Sequence, residues 1–527
     1  MVIFVFTGID TIDNINGTPY SKPQENNTHL VTSTPNQNGG ISSNHKDDLS
    51  TTKLSSTIEG EVDMRRKRYP TDRAYFIAKE ILMTERTYKK DLEVINLEEG
   101  EMPDTALMPL FSLVEPLLEY HCGFLRDVET RLATWEGRSN AHLNGDYRRI
   151  GDVLLKNMGV LTLYEKYLAK HLIVLEKLDS AFRLNNKFEQ LYRDFEMQKV
   201  CYLPLTAFIL KPLQRLLHYE NLLDTKTKLM ETSRNVPNVL QRSENFVALC
   251  ELQRDLNGFD NLVQPDREFI RQGCLLKHSR KGYQQRMFFL FSDLLLYTNR
   301  TVQPSPQFKV HGQLPLRGVM VEETPENKNG ANYCFTVYGG NRALTVAASS
   351  QEEKDKWLED LNATIQAARE RGDNKLQYFS LKSCSSSDEV MDKCGGDNAN
   401  DANNAREKAA GATQRSNTTV HVCWHRNTSI SMRDQLRAVE NQLSGYLLRK
   451  FKNSNGWQKL WVVFTNFCLF FYKTFQDDFP LASLPLLGYT VSSPSENDAI
   501  HKEYVFKLQF KNHVYFFRAE SEYTFGR

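Results

Sequence analysis

Four polar side chains at helical spacing form the strongest candidate for a binding site in this chain. They recur at positions i, i+3, i+4 and i+7 and are Lys211, Gln214, Arg215 and His218. Residues with this spacing share one face of a helix, where basic side chains can bind acidic groups of a partner. The same spacing is also typical of a helix face that contacts only water. Because Pro212 within this stretch has no amide hydrogen, we expect a kink or the start of a new segment there.

An acidic residue, Glu85, occupies a helical stripe that is otherwise apolar. The stripe repeats every three or four residues and consists of Ala74, Ala78, Ile81, Glu85, Tyr88, Leu92 and Ile95. A carboxylate inside such a stripe is costly unless it is paired or lies at the edge. Two interpretations stay open: Glu85 faces a partner protein, or it lies at the rim and forms a salt bridge to a neighbouring helix.

The sequence carries no motif for covalent catalysis. It contains no G-x-x-x-x-G-K-[ST] phosphate loop, no G-x-S-x-G nucleophile turn and no paired metal histidines on a helix. The nine cysteines form no C-x-x-C pair, so we expect free thiols of a reducing compartment. The expectation is therefore a protein without cofactor, metal or enzyme chemistry.

The charge balance excludes global basicity as a mechanism of binding. Lys and Arg number 66 against 65 Asp and Glu, a net charge of +1. Any affinity for a membrane must come from a local patch, and nothing indicates a nucleic-acid partner. The chain has no apolar run of the length that spans a bilayer, and it begins without a basic leader. We expect a cytoplasmic protein with peripheral recruitment to the plasma membrane.

Composition and periodicity divide the chain into five segments. Apolar residues at three- and four-residue spacing predict a helical bundle, and short aromatic and β-branched runs predict antiparallel strands. The predicted segments are a disordered tail (1–70), an elongated all-α bundle (71–263), a first antiparallel β-barrel (269–370), a disordered linker (371–440) and a second barrel (444–527).

The two strand-rich segments read as an internal repeat with one difference. The first ends in a helix that begins with the capping box Ser350–Glu353 and continues with Trp357, Leu361 and Ile365 on one face. No residues remain for that helix in the second barrel, which we expect to be truncated. Within the predicted linker, the stretch 421–425 is unusually apolar and is expected to dock on a neighbouring domain.

Two blocks of the helical segment resemble conserved blocks of Dbl-homology domains. They are Ala78–Tyr88 and Leu210–Arg215. With the two barrels, including the stretches Gln285–Asp293 and Phe451–Trp461, residues 72–527 resemble the FERM, RhoGEF and pleckstrin domain-containing family, without its FERM domain. In that family a Dbl-homology domain precedes two pleckstrin-homology (PH) domains.

The resemblance implies a guanine nucleotide exchange factor for Rho-family GTPases of the Rac or Cdc type. It implies that Glu85 reaches one switch region of the GTPase, that the four residues of the polar helix face contact the other, and that the PH domains fold back as inhibitors. His218 stands where many active relatives carry Lys, and Pro237 falls near a position where they use Asn on a helix. The alternative is a non-catalytic scaffold or membrane-associated adaptor with a degenerate exchange domain.

The resemblance also implies sites for phosphoinositides or anionic lipids on the barrels. The matching basic residues are Lys277, Arg286, Arg449, Lys450 and Lys459. Of the basic pair that clamps phosphates on the second strand, the first barrel lacks one member, replaced by Gln284, and the second barrel has Gln458 and Leu460 at the paired positions. We therefore expect weak attraction to anionic lipid, about 1 kcal/mol per basic residue, rather than recognition of one headgroup.

Overall fold

The structure is a computed structural model that describes most of the chain from residue 72 onward. The described ranges are 72–96, 108–137, 148–223, 234–301, 307–324, 331–340, 342–371, 418–452 and 456–527. The tail predicted over 1–70 lies outside them, as does the larger part of the predicted linker. The cysteines within these ranges are free thiols. No helix of the described ranges is long and apolar enough to cross a membrane.

The first part of the chain is a helical domain. Its helices are α1 (Arg73–Asn96), α2 (Met108–Trp135), α3 (Gly151–Lys156), α4 (Leu161–Leu184), α5 (Asn186–Glu196), α6 (Leu205–Leu223) and α7 (Val236–Asp255). The apolar stripe of α1 faces the interior, with Ala78, Ile81, Leu92 and Ile95 all 0% exposed. Helix α1 packs against α2 and α6, which brings the two sequence blocks side by side.

The two prolines of this domain fit helices in different ways. Helix α6 runs through Pro212 as one element, so the prediction that a new segment starts there was wrong. Burial of α6 on several sides stabilises it, since tertiary packing commonly outweighs local propensity. Pro237 lies in the first turn of α7, where its missing amide hydrogen costs nothing.

The first barrel follows the helical domain. Its strands are β1 (Leu256–Asn257), β2 (Phe269–Ser279), β3 (Gly282–Phe291), β4 (Leu294–Thr301), β5 (Gln307–Pro315), β6 (Met320–Glu323), β7 (Cys334–Gly339) and β8 (Arg342–Ala347), in the order β1-β5-β4-β3-β2-β8-β7-β6. Helix α8 (Gln351–Glu370) closes it. The Ser350 hydroxyl accepts a hydrogen bond from the Glu353 amide at 3.2 Å, and Trp357 and Leu361 enter the core.

The described end of the predicted linker is ordered, which corrects the expectation of disorder for residues 418–440. It forms α9 (Thr419–Arg426), β9 (Ser429–Ser431) and α10 (Met432–Glu440). Strand β9 pairs antiparallel with β2, Gly273 opposite Ser429. The apolar side of α9 is buried, and Cys423 is 0% exposed. Burial of this apolar surface against the first barrel offsets the entropy lost on ordering, and that surface is the one the sequence predicted to dock.

The second barrel repeats the sheet of the first. Its strands are β10 (Leu443–Lys450), β11 (Trp457–Thr465), β12 (Cys468–Tyr472), β13 (Ala482–Pro485), β14 (Thr490–Ser492), β15 (Val505–Phe510) and β16 (His513–Arg518), in the order β13-β12-β11-β10-β16-β15-β14. The short helix α11 (Glu522–Gly526) follows, although the sequence predicted no helix there. Instead of plugging the barrel, α11 contacts α1 of the helical domain.

Candidate functional site

The polar face predicted on α6 is buried. Lys211 is 4% exposed, Gln214 6%, Arg215 4% and His218 6%. Amphipathic spacing places these side chains on one side of the helix but does not say what covers that side. Here the cover is α1 on one flank and the second barrel on the other.

Glu85 lies inside the helical domain rather than at its rim. Its carboxylate is 0% exposed and lies 2.5 Å from His121 Nδ1 on α2 and 2.6 Å from Arg215 Nη2 on α6. The Tyr219 hydroxyl also donates to it, and Arg215 donates to the Thr84 hydroxyl at 2.8 Å. Glu85 thus forms the expected salt bridge to a neighbouring helix, with Arg215, but it lies at the buried centre of the apolar stripe rather than at the rim. Contact between Glu85 and a partner stays a prediction that requires rearrangement.

The electrostatics of Glu85 depend on these partners. Burial alone would raise the pKa of the carboxyl group, but His121 and Arg215 lower that pKa to about 2. A buried carboxylate with this many donors is ionised at neutral pH. The cluster therefore holds α1, α2 and α6 together.

Lys211 connects the helical domain to the second barrel. Its ammonium group donates to Gln442 Oε1 at 2.9 Å and to Thr465 Oγ1 at 3.0 Å. The carboxylate of Asp91 on α1 lies 3.9 Å away. Burial lowers the pKa of Lys211 and raises the pKa of Asp91, although each partly offsets the other.

Gln214 continues the same network. Its amide oxygen accepts from Gln442 Nε2 at 2.7 Å, and its amide nitrogen donates to Glu244 Oε1 on α7 at 2.8 Å. Burial raises the pKa of Glu244 to about 7. Two neighbouring residues of the predicted face thus share Gln442, a residue just before β10.

His218 lies at the far end of the face, between Arg215 and Glu80. Arg215 Nη1 is 2.7 Å from Nδ1 of the imidazole, and Nε2 is 3.7 Å from Glu80 Oε1. Because arginine only donates, Nδ1 accepts and the ring hydrogen of the neutral form lies on Nε2, toward Glu80. Burial lowers the pKa of His218, which favours that neutral form.

The second barrel also contacts α1 directly. The Thr87 hydroxyl donates to Ser444 Oγ at 2.9 Å, and Ser444 donates to the Met83 carbonyl at 3.1 Å. The guanidinium of Arg86 lies 3.9 Å from the ring centre of Phe475. We call the side of α1 and α6 that the second barrel covers the covered face; it carries Met83, Thr87, Lys211 and Gln214.

More second-barrel contacts frame the covered face. Lys90 donates to the Asp477 carbonyl, and Lys79 pairs with Glu520 at 3.0 Å. The Tyr202 ring at the N-terminal end of α6 lies 4.8 Å from that of Phe470 on β12. The interface combines aromatic packing with charge-assisted hydrogen bonds, as specific protein interfaces do.

Several residues of this network have no signal in the sequence. They are His121 and Tyr219 within the helical domain and Gln442, Ser444 and Thr465 in the second PH segment. Thr465 is separated from Lys211 by 254 positions, and nothing local to either residue encodes that contact. Only the apolar stripe around Glu85 pointed to a buried partner.

The predicted lipid contacts have mixed positions. Arg449 is 2% exposed, so the expectation that it contacts lipid is not met in this conformation. Lys459 pairs with Glu520 at 3.0 Å. In the first barrel, Lys277 lies 5.7 Å from the ring centre of Tyr297, and Arg286 donates to the side chain of Gln284. Lys450 is half-buried. The five residues do not converge on one pocket that could hold a phosphate group.

Two family models define the domains of this chain. The RhoGEF domain model matches residues 77–251, and the PH domain model matches residues 269–366 and 441–525. The chain therefore consists of a RhoGEF domain, also called a Dbl-homology or DH domain, followed by two PH domains. The predicted fold class is confirmed.

Curated relatives align with most of this chain. The chain is 52% identical over 499 residues, 90% of its length and 47% of the relative's, to FERM, ARHGEF and pleckstrin domain-containing protein 2 from Mus musculus. It is 51% identical, over 89% of its length and 47% of the relative's, to protein 1 from Gallus gallus. Its homologues are thus FERM, ARHGEF and pleckstrin domain-containing proteins, as the resemblance predicted. The chain spans about half the length of these relatives.

Among solved structures, the crystal structure of the DH domain of FARP2 is similar at 44% sequence identity. The similarity covers 35% of this chain and 98% of that one, with a TM-score of 0.32 over the alignment.

Proposed function

We propose that this protein is a guanine nucleotide exchange factor for Rho-family small GTPases of the Rac or Cdc type, and that its second PH domain holds it inhibited. One observation carries the proposal. The residues that resemble the GTPase-binding set of Dbl-homology domains, Lys211, Gln214, Arg215 and His218, are buried, and Lys211 and Gln214 bond directly to Gln442 beside the second barrel.

The mechanism requires no covalent chemistry. An exchange factor binds the nucleotide-free GTPase more tightly than the nucleotide-bound form, and this difference in affinity drives GDP release. A GTPase can reach α1 and α6 only after the second barrel leaves the covered face. The affinity for GTPase is then reduced by the small fraction of molecules that are open.

The alternative function is a scaffold with a degenerate exchange domain. It is favoured by the internal use of Glu85, whose carboxylate is fully occupied by His121, Arg215 and Tyr219. On this alternative, opening the interface leaves GDP release unchanged. Peripheral recruitment to the plasma membrane is part of either proposal, supported by Lys277, Arg286, Lys450 and Lys459 of the barrels.

The test opens the interface from the barrel side, which leaves the helical domain intact. Ser444 is 8% exposed between Thr87 and the Met83 carbonyl, so Ser444→Arg places a long cation where no room exists. Ser492→Arg on exposed β14 is the matched control. We expect S444R to accelerate release of fluorescent GDP from Rac- and Cdc-type GTPases, and S492R to match the unaltered chain. If S444R separates the domains in solution without faster release from either GTPase, the scaffold is the better account.

A further inference from the structure

The short helix α11 joins the second barrel to α1 through one tyrosine. The ring of Tyr523 stacks on Phe76 with centroids 5.4 Å apart and an interplanar angle of 8°. Its hydroxyl donates to Glu80 Oε2 at 2.7 Å. Ser521 caps the helix by accepting from the Thr524 amide at 3.2 Å.

Glu80 connects this tyrosine to His218 on α6. Its carboxylate is 7% exposed and also accepts from Arg527 Nη2 at 2.8 Å. Its other neighbour is His218 on α6, at 3.7 Å. Burial would raise the pKa of Glu80, but His218, Arg527 and Tyr523 lower it to about 2, so the group is an anion at neutral pH. We call the cluster of Phe76, Glu80, Tyr523 and Arg527 the latch.

We propose that Tyr523 is a phosphorylation site for a protein tyrosine kinase, and that its phosphate opens the latch. The kinase transfers the γ-phosphoryl group of ATP to Tyr523 Oη: the bond from that phosphorus to the ADP oxygen breaks, an O–P bond forms, and the phenolic proton passes to the kinase. The consequence for exchange activity rests on the function proposed above, whereas the opening itself does not.

The charge of the product is incompatible with the present contact. Phosphotyrosine carries a charge of about −1.5 to −2 at neutral pH and no longer donates the hydrogen bond. Its oxygens would stand beside the Glu80 carboxylate, with which they have the same sign. Two cations, Arg527 and Arg73, influence the Tyr523 hydroxyl electrostatically. If Arg527 turns to the phosphate, Glu80 loses a second donor while still buried, which is costly for an ionised carboxylate.

The surroundings of Tyr523 suit a kinase. Tyr523 is only half-buried, and Glu522 and Phe525 on the same short helix are exposed. The exposed carboxylate of Glu522, next to Tyr523, complements a basic peptide-binding groove.

The experiment treats the full chain with a purified non-receptor tyrosine kinase and Mg-ATP. Mass spectrometry locates the phosphate, small-angle X-ray scattering gives the radius of gyration, and release of fluorescent GDP from a Rac-type GTPase gives activity. We expect phosphate on Tyr523, a larger radius of gyration and GDP release about tenfold faster. A tenfold change corresponds to destabilisation of the closed state by about 1.4 kcal/mol. A tyrosine phosphatase should reverse both changes. Tyr523→Phe keeps the aromatic ring on Phe76 but has no hydroxyl oxygen to receive the phosphoryl group. This variant should therefore not respond to the kinase.

Each other outcome has a defined meaning. A kinase that modifies other tyrosines but leaves Tyr523 untouched refutes the site. Full phosphorylation of Tyr523 with an unchanged radius of gyration refutes the latch. A larger radius of gyration without faster release, when Ser444→Arg also fails to accelerate release, supports the latch and refutes the exchange function instead.

Discussion

Replacement of Thr465 by lysine tests the contact at the centre of the covered face. Thr465 is 1% exposed and its hydroxyl accepts from Lys211 Nζ at 3.0 Å. It is the last residue of strand β11. The variant removes one of the two hydrogen-bond acceptors of a buried ammonium group and adds a second cation beside it.

The magnitude follows from these two effects. Loss of one hydrogen bond to a charged group costs about 1.5–3 kcal/mol. Two like charges about 4 Å apart at an effective dielectric constant near 20 repel by about 4 kcal/mol. Because Asp91 lies 3.9 Å from Lys211 and can attract either cation, we take about 3 kcal/mol as the net destabilisation of the closed conformation. That is roughly a hundredfold change in the ratio of closed to open molecules.

The assay compares Thr465→Lys with Thr490→Lys. Thr490 lies on exposed strand β14 of the same barrel, away from the helical domain. Both variants carry the same added charge, so a difference between them reports the interface. We expect T465K to show faster GDP release from a Rac- or Cdc-type GTPase and a larger radius of gyration, and T490K to resemble the unaltered chain.

Two results would refute the reasoning. If T465K is folded and its domains stay together, the contact between Lys211 and Thr465 does not stabilise the closed form. If the domains separate but release is no faster than with T490K, the second barrel does not limit exchange. Circular dichroism and thermal unfolding of both variants exclude a misfolded barrel as the cause.

Three further predictions concern stability. The pKa of Glu85 is about 2 against an ordinary value of 4.5, so its ionised form stabilises the folded state by about 3 kcal/mol. This stabilisation is fully present above pH 4.5 and is lost as the pH falls toward 2. Unfolding measured across that pH range should show the loss, and Glu85→Gln should abolish the pH dependence. In Gly273→Ala the new Cβ meets Ser429 Cβ at 2.3 Å, so amides of 429–431 should exchange faster with deuterium, whereas Gly445→Ala, with nothing within 4 Å of its Cβ, should not change them. Trp357→Ala removes a side chain that is 0% exposed from the first barrel and should lower its free energy of unfolding by about 3–5 kcal/mol in denaturant titration; a loss below 1 kcal/mol contradicts the packing described.

Local patterns in the sequence predicted most elements of the fold. The apolar stripe of α1, the capping box at Ser350 and the alternating strands of two barrels are properties of short segments. Each depends on the geometry of a single helix or strand, so a short window of sequence contains the information. The order of two blocks and two barrels was sufficient to predict the family.

The sequence failed where order and burial depend on the tertiary fold. Residues 418–440 have a polar composition but are ordered, because α9 and β9 meet complementary surfaces on the first barrel. Arg449 was expected at a lipid-facing surface and is buried. The proline in α6 was expected to interrupt a helix that its neighbours hold intact.

The candidate site shows the same division. The sequence by itself determined which side chains share one face of α6 and that Glu85 interrupts an apolar stripe. Only the tertiary structure decided that this face is covered. Arg215 lies 130 positions from its partner Glu85, and Thr465 lies 254 positions from its partner Lys211. Helical periodicity fixes the direction of a side chain relative to its own axis. Which surface meets that side chain depends on complementary charge and shape in distant segments, and no local pattern encodes their approach.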